Sequence, residues 1–142
     1  MLSNNLINYL KKEKIWSDEP HAPYRDALNT LGIPEDTDIG QFYLHAEDSP
    51  NFLSAKKGEL LQVCWHTLNT RYIANSNHLR AALKIPEDRV ILSSFEGEGG
   101  WVYDKASGKV YLLTLSKLKP GEQTTWETFG DFLDYYFNIT SA

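Results

Sequence analysis

The chain has a single cysteine, Cys64. No intramolecular disulfide can form, so the fold must be held without covalent cross-links. Long apolar runs are also missing: no stretch approaches the ~20 residues that span a bilayer. The first ten residues carry neither a basic n-region nor a continuous apolar h-region, so no signal peptide is read there. The expectation is a cytoplasmic protein with no membrane partner. In that setting the acceptor pattern Asn138-Ile-Thr140 carries no weight. Basic residues are in the minority, with 14 Lys and Arg against 19 Asp and Glu and a net charge of −5. This argues against nucleic acid as a partner, because duplex affinity comes largely from cations that neutralise phosphates. It favours a basic or neutral partner instead.

What remains is a globular composition: 42% hydrophobic, 23% charged and 13% aromatic, well outside the disordered range. At 142 residues the expected organisation is one domain over residues 1–142. Leu2, Leu6, Ile7 and Leu10 recur at helical spacing, with Ser3, Asn4 and Asn5 as the candidate caps. Tyr24–Leu31 reads as a short helix ended by Gly32 and Pro34. Gln41–His45 reads as a strand and Ala46–Gly58 as a polar loop. Glu59–Thr67 fits either a strand or a buried helical turn. Ser76–Leu83 reads as a helix with Leu79, Ala82 and Leu83 inward. The segments Leu31–Ile39 and Leu83–Ile91 nearly repeat, and the simplest account is one joint used twice: helix end, proline stop, acidic turn, start of a strand.

A β-meander follows over Arg89–Leu115. Arg89–Phe95 carries apolar groups on both faces and reads as a central strand. Glu96–Gly100 is a turn. Trp101–Asp104 and Lys109–Leu115 form a hairpin in which Gly108 supplies a positive φ. Lys119–Glu122 is a further turn. Thr124 and Glu127 then read as a capping box. The helix after it lines up Trp126, Phe129, Leu133, Tyr136 and Phe137, a stripe whose simplest cover is one face of the sheet.

Candidate chemistry is sparse. The Gly-rich turn at Glu96–Gly100 precedes a strand, whereas a phosphate cradle needs a helix N-terminus after it. Glu96 and Glu98 form a carboxylate pair, but nothing marks either as desolvated. His21, His45, His66 and His78 fall in no metal-ligand spacing. Cys64 has no sign of activation and reads as a small buried hydrophobe. No catalytic set, cofactor or metal is therefore expected. The acidic clusters, Glu47 and Asp48 among them, are either a solvated surface or a face that steers a basic protein. Trp101 and Tyr103 beside Glu98 fit an interface hot spot and a strand core equally well.

The meander resembles the SUKH superfamily, which includes the fungal Smi/Knr cell-wall-assembly regulators. The resemblance rests on a strand with small polar residues, the acidic Gly-rich turn, and Tyr103-Asp104, Ser107-Gly108 and Val110-Tyr111 in order. The closing W-x-x-F-x-x-F-L at Trp126–Leu133 agrees with it, and Ile33-Pro-Glu-Asp fits the family's opening. Gln41–Asp48 departs from the Gly-rich early strand of that family. The resemblance implies an α+β fold with a central, mostly antiparallel sheet, flanking helices and a C-terminal helix packed on the sheet. It implies a non-enzymatic immunity protein that neutralises a cognate bacterial toxin with a basic surface, such as a nuclease. The alternative is an intracellular regulatory or scaffold module that binds another protein. The expected partner-binding residues are Glu96, Glu98, Trp101, Tyr103, Glu47 and Asp48, on a monomer or weak homodimer.

Overall fold

The computed structural model describes residues 2–54, 57–95, 99–114 and 124–140. Three short helices come first. In α1 (Asn4–Lys12) the Ser3 hydroxyl accepts from the Leu6 amide, and Leu6 and Leu10 are buried. Helix α2 (Ala22–Leu31) buries Tyr24, Ala27, Leu28 and Leu31 and ends at Gly32 with φ 72°. That left-handed position suits a residue without a Cβ.

The third element is α3 (Asp38–His45), where the sequence suggested a strand. The cap explains the difference: Thr37 Oγ1 accepts from the Gly40 amide at 3.1 Å. Ile39, Phe42 and Tyr43 then fall on one buried face at helical spacing, and this packing overrides their β preference. A Cβ on Gly40 would lie 2.1 Å from the Pro34 carbonyl oxygen, so the tight joint into this helix requires glycine.

The segment expected to be a loop contains β1 (Asn51–Ser54), which pairs antiparallel with β2 (Gly58–Leu61). Two helices follow, α4 (Val63–Asn69) and α5 (Tyr72–Leu83). The ambiguous segment Glu59–Thr67 is therefore both, strand first and then helix. Within α5, Leu79 and Leu83 are partly buried, but Ala82 is exposed.

The second sheet is antiparallel, in the order β3 (Arg89–Ile91), β4 (Gly99–Asp104), β5 (Val110–Thr114), β6 (Thr124–Trp126). Gly99 and Gly100 begin β4 rather than sitting in a turn, and Gly108, at φ 78°, turns β4 into β5. Strand β3 is shorter than expected and lies at an edge of the sheet, not at its centre. The ladder stops because Ser93 Oγ, rather than a backbone carbonyl, accepts from the Trp101 amide at 2.9 Å. The edge is not left open. The Arg89 carbonyl accepts from Arg80 Nη2 at 2.6 Å, and the Ile91 carbonyl accepts from the Tyr72 hydroxyl, both donors on α5. The Leu61 amide donates to the Leu92 carbonyl at 2.8 Å and ties the two sheets together.

The last helix, α6 (Phe129–Tyr136), is capped by Thr128, whose side chain accepts from the Asp131 amide. The expected Thr124–Glu127 box is not the cap, because Thr124–Trp126 is β6 and pairs with β5. As expected, α6 covers the sheet: Phe132 meets Trp101 at 5.1 Å and Phe129 meets Tyr103 at 5.9 Å between ring centroids. Phe129, Phe132, Leu133 and Tyr136 are fully buried, each burial stabilising by about 1.5–3 kcal/mol.

The near-repeat is a repeat of the joint alone. Gly32 and Lys84 both adopt left-handed backbone after a helix, yet Ile39 continues into a helix and Ile91 into a strand. The architecture is α+β with two antiparallel sheets. Among the described residues, no helix is long and apolar enough to cross a membrane. The expected turn at Lys119–Glu122 lies outside the described residues.

Candidate functional site

Of the six residues expected to meet a partner, the four that are described do not form one surface. Glu96 and Glu98 lie outside the described residues. Trp101 and Tyr103 are only 8% and 5% exposed. They stand on the face of β4 that α6 covers, so they are core and are not available as exposed anchors. Alternation along β4 sets their common face, and the aromatic stripe of α6 fills the space above it.

Glu47 is exposed and held in place. Its carboxylate accepts from the Tyr24 hydroxyl, and its amide donates to the Ile15 carbonyl at 2.7 Å. Burial pushes the Tyr24 hydroxyl pKa well up, and the Glu47 carboxylate adds to the rise. Tyr24 therefore remains a donor and fixes the orientation of an anion at the surface. Asp48 follows at once and is partly exposed.

Other carboxylates serve the fold. Asp38 accepts from the Ile39 amide at 2.8 Å and from the Gly130 amide at 3.0 Å, joining the N-termini of α3 and α6. Both helix dipoles favour a negative charge there. Asp104 pairs with Arg89 at 3.2 Å across β3 and β4. Burial works against the Asp104 charge, but the Ser107 hydroxyl, the Ala106 amide and Arg89 together hold its pKa below the usual range. Several cations are tied to backbone carbonyls: Arg80 donates to the Arg89 carbonyl, Lys105 to the Leu31 carbonyl and, at the surface, Lys57 to the Tyr135 carbonyl.

A groove of about 420 Å³ opens between α4, α5 and the junction of β2 with β3. Leu61, Leu79, Ile91 and Phe95 form its apolar walls, with His66 and Ser93 among its polar groups. A short relay orients His66. Asn51 Nδ2 donates to Glu59 at 3.1 Å, which turns Asn51 Oδ1 toward His66 Nε2 at 3.0 Å. Nε2 must then carry the proton, which leaves Nδ1 as an acceptor. The nearest hydroxyl, Thr70 Oγ1, is 3.4 Å from Nδ1 but 2.8 Å from the His66 carbonyl, so its proton goes to the carbonyl. Burial lowers the pKa of His66, opposed in part by the nearby Pro50 carbonyl. The imidazole is therefore neutral at physiological pH.

Sequence reasoning did not single out His66 or Ser93. His66 lies in no motif, and its partners Asn51 and Glu59 come together only when β1 pairs with β2. Cys64 is buried as expected, and burial pushes its thiol up to about 12. Among the described residues, no group of three or more His, Cys, Asp and Glu side chains is placed to hold a metal ion. Compared with protein-family models and with curated proteins, the chain matches none.

Proposed function

We propose that this chain is a non-enzymatic, cytoplasmic binding protein of the immunity type, which neutralises a cognate toxin by docking against a basic surface of it. The observation that carries the reading is the exposed Glu47 carboxylate, clamped by the buried Tyr24 with Asp48 beside it. A pre-oriented anion loses less conformational freedom on binding than a mobile one. An acidic face also speeds the encounter with a basic partner. The excess of carboxylates over cations and the part-buried bonds that tie Arg80 and Lys105 to backbone carbonyls support the same sign of surface.

The test is co-expression and copurification with the toxin encoded beside this gene. Binding and rescue of toxicity are expected. The double variant Glu47→Lys/Asp48→Lys should associate about tenfold more slowly and with a weaker salt dependence. If the parent neither binds nor rescues, the reading is wrong.

A further inference from the structure

The groove beside His66 shares no residue with the Glu47 surface, so it stands independently of the protein-binding reading. Its volume of about 420 Å³ lies within the range of small-molecule sites, which run about 300–1,000 Å³ and combine apolar walls with a few placed polar groups. Among the described residues, no Lys, Arg, Asp or Glu lines it. A charged ligand would lose its hydration there without a counter-charge, which is costly. Leu61, Leu79, Ile91 and the ring of Phe95 offer apolar walls to pack against. The polar groups are not equivalent. The Tyr72 hydroxyl is already committed to the Ile91 carbonyl, and Thr70 Oγ1 donates to the His66 carbonyl. His66 Nδ1 is the acceptor that the Glu59–Asn51 relay leaves over.

We propose that this groove binds an uncharged aromatic small molecule that donates one hydrogen bond to His66 Nδ1. Ring edges and faces fill the apolar walls. The single N–H or O–H donor sets the orientation, with the relay through Asn51 keeping the imidazole turned to receive it.

The experiment uses indole as the neutral probe, with indole-3-acetate and tryptamine as charged analogues of the same ring system. Each is titrated into the full chain at pH 7.5 and followed by NMR. Indole is expected to shift the resonances of His66, Leu79 and Ile91 and to saturate near ~1 mM, in keeping with the ligand efficiency of so small a molecule. The two charged analogues should bind at least ~10-fold more weakly. His66→Phe keeps the apolar volume and removes the acceptor, so indole should weaken about 3–10-fold. Leu79→Trp, at a partly exposed helical position, fills the groove and should abolish the shifts. The proposal is overturned if indole leaves the groove resonances unmoved, or if the charged analogues bind as tightly as indole. It is equally overturned if His66→Phe binds indole unchanged.

Discussion

Replacing Gln62 by Leu tests how α4 is held in the body of the protein. Gln62 is fully buried and works in two directions. Its Oε1 accepts from the Cys64 amide at 2.9 Å and the Trp65 amide at 3.4 Å, capping α4. Its Nε2 donates to the Ala46 carbonyl at 2.7 Å, anchoring the end of α3. Leucine has nearly the same volume, so packing is kept and only the polar partners are lost. The Cys64 amide and the Ala46 carbonyl would then be stranded in the interior, at about 1–3 kcal/mol each. The expected loss is about 2–6 kcal/mol, a large share of the roughly 5–15 kcal/mol that stabilises a domain. Urea unfolding followed by tryptophan fluorescence measures it, read as a fall in the midpoint with an unchanged slope. Gln62→Glu sharpens the test. The carboxylate still caps α4 but faces the Ala46 carbonyl without a proton to donate, so this variant should be impaired at pH 7. Relative to the parent it should recover as pH falls toward ~4, where the carboxyl can donate. A loss under ~1 kcal/mol for Gln62→Leu would refute this account of the cap.

Three further perturbations probe other joints. Tyr136→Phe removes the donor to the Phe52 and Gly58 carbonyls, at 2.9 and 2.6 Å. It should cost about 1–2 kcal/mol and speed amide exchange in the β1–β2 hairpin before the rest of the chain. Arg80→Leu uncovers the Arg89 carbonyl at the edge of β3, so it should promote self-association, visible as a rise in hydrodynamic radius with concentration. His66 has a lowered folded pKa, so between that value and the unfolded ~6.5 the unfolded chain binds more protons. Its contribution to stability is complete above pH ~6.5 and is lost as pH falls through the folded pKa. His66→Gln should therefore flatten the fall in melting temperature below pH 6.5 relative to the parent.

Signals confined to a few neighbouring residues were legible in the sequence. Ser3 caps α1, Gly32 ends α2 and Gly108 turns β4 into β5, because each needs only a hydroxyl or a missing Cβ at one place in the chain. The aromatic stripe of α6 also announced its own burial. Where two local readings were close in energy, long-range contacts chose between them. Residues 41–45 have strand-like composition, yet Thr37 and Asp38 start a helix there, and the contacts of Phe42 and Tyr43 with Phe52 and Phe129 keep it. Trp101 and Tyr103 could have been surface or core, and the packing of α6 made them core. Thr124 read as the cap, and pairing of β6 with β5 gave that role to Thr128 instead.

By itself the sequence determined the absence of disulfides, the acidic balance and the hairpin at the centre of the second sheet. These follow from composition and from periodicities of a few residues. Only the tertiary structure decided which carboxylates are held at the surface and which are bound into joints, and only it assembled the groove. Glu59, Asn51, His66 and Ser93 lie on four separate segments, and their hydrogen-bond geometry exists only after β1 meets β2 and β2 is tied to Leu92.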